Sequence, residues 1–239
     1  MSRSDLGYAA AALAANIAGA LVVTAGVRWG VRAVDAMLSL AAGFMLSVAL
    51  VDMVPESIEG AGPAAGATVL IGYLLVHLTQ HTFAKHFHFG EETHEVSKVV
   101  SLSALLGLLL HTFADGVAVA SGARVSGALG ALVFASVALH KIPEGLAISS
   151  LFVAAGASRG RALAAAAALG AATTLGILLT DNVHALATHG LALSAGVTIY
   201  VGASNLVPEF QSKPGWRNPL FFFAGCGVYA LARALVGGH

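Results

Sequence analysis

Long apolar runs, separated by short polar segments, occupy most of this chain of 239 residues. A helix that crosses a membrane needs about 20 consecutive apolar residues, and lipid favours helices because they satisfy their own backbone hydrogen bonds. Eight runs reach this length, at about 6–26, 36–58, 64–83, 99–122, 126–154, 160–183, 190–210 and 218–236. The pattern predicts an all-α polytopic membrane protein with eight transmembrane spans, in a single transmembrane domain over residues 1–239.

The composition is typical of a membrane protein, with 57% hydrophobic and only 10% charged residues. Soluble domains usually carry about 25% charged residues. Twelve basic residues balance twelve acidic residues, so no net charge attracts nucleic acid, and we expect no nucleic-acid partner. An alternative interpretation of span one is a secretory signal, although its apolar run exceeds the roughly 7–15 residues of a signal core.

The basic residues are distributed unevenly among the connections between spans. Eight of the twelve flank the odd-numbered connections: Arg28, Arg32, Lys85, Lys98, Arg159, Arg161, Lys213 and Arg217. Cytoplasmic connections of membrane proteins retain Lys and Arg, so these connections are predicted to face the cytoplasm. Both termini are then expected outside, in a multi-pass protein of the cell membrane (inner or plasma membrane).

Two segments near the middle of spans four and five follow the same template. Residues 111–116 read HTFADG and residues 140–145 read HKIPEG, each with a His, a carboxylate four positions later and a Gly. Residues i and i+4 share one face of a helix, so each segment presents an imidazole and a carboxylate to one point. A charge at this depth costs from about 2.5 to more than 10 kcal/mol, so four such groups at one depth indicate a common purpose.

The paired segments suggest a metal site, because two imidazoles and two carboxylates form a nitrogen and oxygen ligand set. Such a set binds zinc and also iron, manganese, cobalt or cadmium. The alternative interpretation is that each His and its carboxylate form a polar packing contact without a metal. Spans four and five run in opposite directions, so the matched segments form an inverted repeat. Pro143, Gly116 and Gly145 predict that both helices are broken at this midplane site.

These segments resemble the fourth and fifth helix motifs of the ZIP (Zrt/Irt-like) divalent-metal transporters of prokaryotic type, whose usual form is close to HNxPEG. The resemblance covers nearly the whole chain and implies eight spans with outward termini. It also implies that four residues bind the transported metal: His111, Asp115, His140 and Glu144. The AAGFML stretch of span two resembles the place where some members put a methionine on the metal, which nominates Met45. The alternative for Met45 is a flexible core residue.

The departures from the family pattern concern a second metal. Many members hold one beside the first, with a polar residue after each His and an acid on helix six. Here the two positions are Thr112 and Lys141, and span six has no acid before Asp181. A lysine ammonium would take the electrostatic place of a second cation. We therefore predict a single metal site, with Lys141 paired to Glu144 or Asp115.

Further acidic and histidine residues lie at the ends of the spans. Spans two and seven both end in Val-Pro-Glu, a second inverted correspondence. Asp52 and Glu56 are predicted to form a cation entrance at the outer mouth, unless they are solvated helix caps. Residues nominated for exit or cytoplasmic metal binding lie at the inner ends and in the polar loop 84–98: His77, His81, His86, His88, Asn205 and Glu209. The alternative is a flexible polar loop with incidental histidines.

The resemblance implies import of a divalent metal toward the cytoplasm by alternating access, with an elevator-like displacement of the helices that carry the site. Zinc is the first expectation, with broad specificity for iron, manganese, cobalt or cadmium. We expect a lipid bilayer environment, no catalytic cofactor and no enzymatic activity, and a homodimer is a possible assembly. The competing functions are a metal-responsive membrane receptor and an intramembrane metalloenzyme. The sequence lacks HExxH, because position 98, four residues after His94, is Lys98.

Overall fold

The computed structural model describes residues 3–26, 31–83 and 98–236, and all regular structure in these ranges is helical. This confirms the all-α prediction. The spans are Arg3–Thr24 (one), Val31–Val48 with Ala49–Met53 and Val54–Ala61 (two), Ala64–Phe83 (three), Lys98–Val125 (four), Gly127–Ala154 (five), Arg159–Asn182 (six), His184–Tyr200 with Val201–Leu206 and Val207–Gln211 (seven), and Arg217–Val236 (eight). The middle pieces of spans two and seven are π-helical.

Seven stretches of the described chain are long and apolar enough to cross a membrane: Leu6–Thr24, Arg32–Ala61, Ala104–Val125, Gly127–Ala154, Arg159–Thr180, His184–Leu206 and Arg217–Leu235. Span three contributes a shorter apolar stretch, Ala64–Thr79. Large apolar side chains such as Leu78, Phe223 and Leu235 are more than 60% exposed on the helix surfaces. Exposed apolar side chains of this size are suited to lipid contact, in agreement with a polytopic membrane protein.

The packing of the spans follows a two-fold pattern. Span one packs on span five as span six packs on span four, and span two packs on span eight as span seven packs on span three. Spans two and seven also contact spans five and four in the same exchange. Exchanging spans one to three with spans six to eight, and span four with span five, therefore reproduces these contacts. This is the arrangement that an inverted repeat produces.

Glycines make the closest of these contacts. A Cβ added at Gly145 would overlap the carbonyl oxygen of Asn16 in span one, and one added at Gly116 would overlap that of Thr173 in span six. The same reciprocal contacts occur elsewhere at matching positions: Gly19 on Ile142 and Gly176 on Phe113, Gly43 on Phe222 and Gly196 on Val69, Gly225 on Leu40 and Gly72 on Leu193. Small residues let transmembrane helices approach closely, so these glycines fix the register of four helix pairs.

The expected break of spans four and five is absent, and this expectation was wrong. Both spans are continuous α-helices, Lys98–Val125 and Gly127–Ala154. The physical reason is that Gly116 and Gly145 serve close packing against a neighbouring helix rather than local unwinding. Pro143 removes one backbone donor, but the helix continues through it.

The backbone irregularities lie instead in spans two and seven. The N–H of Val54 donates to the carbonyl of Ala49, five residues back, and the N–H of Val207 donates in the same way to Gly202. A proline follows directly in each case, Pro55 or Pro208, and its missing N–H favours a widened helical turn at that point.

Candidate metal centre

Three side chains from spans four and five converge on one buried point. His111 and Asp115 lie one turn apart on span four, and His140 reaches the same point from span five. Their ligand atoms all lie within 4.8 Å of one another, and each residue is at most 5% exposed. In the part of the chain that the structure describes, no other cluster of His, Cys, Asp or Glu has this geometry.

The distances between these atoms are close to those of zinc ligands. Oδ2 of Asp115 lies 3.5 Å from Nε2 of His111 and 3.2 Å from Nε2 of His140. Zinc binds nitrogen and oxygen at about 2.0–2.2 Å in tetrahedral sites, which places two ligand atoms about 3.3–3.5 Å apart. Small side-chain adjustments would therefore allow all three atoms to bind one ion.

Hydrogen bonding fixes the orientation of the His140 ring. Nδ1 lies 2.9 Å from the backbone carbonyl oxygen of Ser136, and because a carbonyl can only accept, Nδ1 carries a proton. In a neutral ring Nε2 then presents a lone pair toward the carboxylate of Asp115. Two lone pairs repel each other, so a cation or a proton between them stabilises this contact. The contact of the Ser136 carbonyl with Nδ1 resembles that of the outer-shell acceptors that orient histidine ligands in metal sites.

Lys141 and Glu144 complete the metal centre, which we define as His111, Asp115, His140, Lys141 and Glu144. The ammonium of Lys141 donates to Oδ2 of Asp115 at 2.6 Å and to Oε2 of Glu144 at 2.8 Å. Lys141 is completely buried. Oε1 of Glu144 is buried without a hydrogen-bond partner among the described residues, so it is free to accept one. Lys141 therefore contacts both carboxylates, where the sequence predicted one or the other.

Met45 and Thr112 lie near the metal centre but outside the group of converging ligand atoms. Met45 is fully buried in an apolar cluster that includes Ala114, the residue before Asp115. The hydroxyl of Thr112 donates to the carbonyl of Leu109 within its own helix, at 3.2 Å. Met45 thus shares an apolar cluster with a residue of span four, whereas the Thr112 hydroxyl bonds within its own helix.

The nominated entrance residue Asp52 is buried in the π-helical segment of span two. Its Oδ2 accepts a hydrogen bond from the Tyr229 hydroxyl at 2.7 Å, and its Oδ1 accepts one from Nε of Arg233 at 2.8 Å. Glu56 is half-buried one turn further along. Arg233 of span eight therefore already balances the charge of Asp52, which the sequence analysis did not foresee.

The nominated exit residues are only partly described. Asn205 is half-buried in the π-helical segment of span seven, at the position that matches Asp52. His77 is exposed, and its ring lies edge-on to Tyr200 with centroids 5.8 Å apart. Four other nominations lie outside the described residues or have side chains outside them: His81, His86, His88 and Glu209.

Two polar residues near the metal centre were missed in the sequence analysis. Ser194 of span seven donates a buried hydrogen bond of 3.0 Å to the carbonyl of Ala114 in span four. Asn16 of span one is fully buried, and neither atom of its amide has a partner among the described residues. Asn16 was detectable as a lone amide within an apolar run, but nothing in the sequence associates Ser194 with span four.

Sequence comparison finds similarity to the ZIP zinc transporter family and to individual zinc transporters. The model of the ZIP zinc transporter family matches residues 90–233, which include the whole metal centre. Zinc transporter ZIP9 of Micropogonias undulatus is 29% identical over 158 residues, covering 60% of this chain and 51% of that protein. Zinc transporter YKE4 of Saccharomyces cerevisiae is 24% identical over 240 residues, covering 82% and 69%. The chain spans about half the length of the ZIP9 relatives that it matches.

Proposed function

Since this chain belongs to the ZIP zinc transporter family, we propose that it moves a divalent transition-metal ion, zinc first, across a membrane. The observation that carries the proposal is the convergence of two imidazole nitrogens and a carboxylate oxygen within 4.8 Å of one another, with the oxygen 3.5 and 3.2 Å from the two nitrogens. His111, Asp115 and His140 bind the ion. Glu144, through its free oxygen, and Met45 are the further ligands that we assign. The same ligand types accept iron, manganese, cobalt and cadmium.

We assign one metal ion to each metal centre. The contacts of Lys141 with Asp115 and Glu144 support this assignment, because a buried ammonium at 2.6 and 2.8 Å from the two carboxylates repels a second cation there. Thr112, at the matched position of span four, offers only a hydroxyl that is already hydrogen-bonded. An anomalous-scattering map at the zinc edge should show one peak, and two adjacent peaks would contradict the assignment.

We further propose import toward the cytoplasm by alternating access, with both termini outside in the cell membrane. The asymmetry of the basic residues supports this orientation. Spans one, four, five and six pack together around the metal centre, which suits an elevator-like displacement of that group against the other four spans. The direction of import rests on the family relationship alone, and a homodimer remains a proposal on the same basis.

The proposed path has an entrance at Asp52 and Glu56. Because Arg233 and Tyr229 hold Asp52, an entering cation meets Glu56 first or displaces Arg233. The proposed exit lies on the membrane face opposite the entrance. It is formed by the carboxyl-terminal ends of spans three and seven and by the loop 84–98. It comprises His77, His81, His86, His88, Asn205 and Glu209.

Uptake of radioactive zinc into zinc-free proteoliposomes tests the transport function. The parent protein should accumulate zinc above protein-free vesicles, and the double variant His140→Ala, Glu144→Ala should fall to the vesicle background. His184→Ala, which removes an exposed imidazole far from the metal centre in sequence, is the matched control and should transport like the parent. A parent that binds zinc without moving it would indicate a receptor, and a double variant that transports normally would refute the ligand assignment.

A further inference from the structure

The metal centre carries a fixed positive charge that no step of metal binding requires. Lys141 is completely buried, and its ammonium contacts both carboxylates of the centre. With both imidazoles neutral, the form that binds a metal, the metal-free centre contains two negative charges and one positive charge. Its net charge is −1, and one bound divalent ion changes the net charge to +1.

The size of this net charge decides how costly it is to keep the centre inside a low-dielectric protein. The cost of burying a charge rises with its square in the Born description, so a net charge of two is about four times as costly as a net charge of one. Without Lys141 the metal-free centre would carry −2 and the loaded centre 0. With Lys141 the two states carry charges of equal magnitude, so neither of them is strongly penalised.

Comparison with the matched position in span four shows why one ammonium, and not two, gives the metal-free and loaded centres net charges of equal magnitude. Thr112 occupies in span four the place that Lys141 occupies in span five. A second lysine there would give 0 and +2, which would penalise the loaded centre instead. The inverted repeat is thus asymmetric at this position. A lysine in span five alone gives the metal-free and loaded centres net charges of equal magnitude.

The Lys141 ammonium also lies on the same pair of helices, spans four and five, as the proposed metal ligands His111, Asp115, His140 and Glu144. All ion pairs of the metal centre lie within spans four and five. Two further ion pairs lie elsewhere: Asp52 with Arg233 joins spans two and eight, and Asp35 with Lys213 joins span two to the connection after span seven. Any displacement of spans four and five therefore carries Lys141 along with Asp115 and Glu144.

We propose that Lys141 is the internal counter-cation that allows the metal-free carrier to return across the membrane. This inference rests on the proposed transport function, because it concerns the return half of the transport cycle. Lys141 would then set the rate of net uptake, in which every cycle includes a metal-free return. Exchange of zinc for zinc omits that return, since the carrier is loaded in both directions.

The test compares net uptake with exchange in the same proteoliposomes. Net uptake is the entry of radioactive zinc into zinc-free vesicles, and exchange is its entry into vesicles preloaded with saturating unlabelled zinc. For Lys141→Met and Lys141→Gln, the ratio of net uptake to exchange should fall by about tenfold or more relative to the parent. Lys141→Arg keeps the positive charge and should restore the ratio. Arg161→Gln removes an exposed cation and should leave the ratio unchanged.

Each outcome separates the inference from the function on which it rests. A proportional loss of both fluxes in the Met and Gln variants would assign Lys141 a purely structural or binding role and overturn the proposal. An unchanged ratio in those variants, or a lowered ratio in Lys141→Arg, would overturn it as well. If the parent shows neither flux above protein-free vesicles, it is the transport function that fails.

Discussion

Spans four and five show how an inverted repeat preserves packing while it diverges in charge. Both spans place a His, a carboxylate and a Gly at matched positions, and both glycines pack on a backbone carbonyl of a neighbouring span. They differ in the residue after the His, Thr112 in one and Lys141 in the other. Packing constrains both copies equally because the contacts are reciprocal, whereas a buried charge is tolerated only where partners neutralise it. The two segments therefore differ in charge while they keep the same packing glycines.

The π-helical segments of spans two and seven, away from the metal centre, also share a backbone shape while they differ in charge. Both segments precede a Val-Pro-Glu sequence and share the widened backbone turn. Span two has the buried Asp52, which Arg233 neutralises and to which the Tyr229 hydroxyl donates a hydrogen bond, whereas span seven has the neutral Asn205 at the matched position. The backbone shape is again common to both copies, and the ion pair occurs in one.

The largest expected effect comes from the two carboxylates, which differ in their partners. Oδ2 of Asp115 contacts Lys141 and both imidazoles, whereas among the described residues Glu144 accepts only from Lys141. Asp115→Ala should destabilise the metal-free protein by about 3–5 kcal/mol, because it removes the shared partner of a buried charge. Glu144→Ala should cost less, about 1–3 kcal/mol. Unfolding in detergent micelles measures the loss of stability in both variants. A larger loss for Glu144→Ala than for Asp115→Ala would contradict this prediction.

The glycine contacts predict equal effects in the two spans. Gly116→Ala and Gly145→Ala should each destabilise by about 1–3 kcal/mol, because the new Cβ overlaps a backbone carbonyl that cannot rotate away. Gly107→Ala in span four is the control, since open space surrounds that position. It should be neutral or stabilising, because Ala favours the helix. Thermal unfolding of the three variants measures these changes in stability. A loss of stability in only one of Gly116→Ala and Gly145→Ala would contradict the expected equality of the two spans.

The smallest expected effect concerns a contact that only span four makes. Ser194→Ala removes the hydrogen bond to the Ala114 carbonyl and should cost about 1 kcal/mol, since that carbonyl lies within a continuous helix. The variant also makes this position the same as Ala41, its counterpart in span two. Unfolding measurements on the zinc-free protein give the cost. A loss as large as that of Asp115→Ala would mean that Ser194 positions the carboxylate.

Residues whose role is local were predictable. The long apolar runs placed all eight helices, because a lipid-spanning helix is recognised by its length and composition alone. The spacing of His111 and Asp115 placed them on one helix face by the geometry of the helix itself. The pairing of Lys141 with Glu144 was predictable because the two residues lie three positions apart on the same helix.

Residues whose partners are distant in sequence were not predictable. Arg233 was visible as a basic residue near the end of span eight, but its pairing with Asp52 crosses nearly the whole chain. Gly116 and Gly145 were recognised as unusual and were given the wrong role, because flexibility and close packing use the same residue. Only the neighbouring spans show which of these two uses applies.

The sequence by itself determined the membrane-spanning helices, the duplicated His and carboxylate template and the balance of charges, since these follow from composition and from spacing along one helix. The tertiary structure alone decided that spans four and five remain continuous, that the widened turns lie in spans two and seven, and that one ammonium holds both carboxylates. The physical reason is that backbone packing and the neutralisation of buried charge depend on which helices are neighbours. That information is set by the contacts between spans.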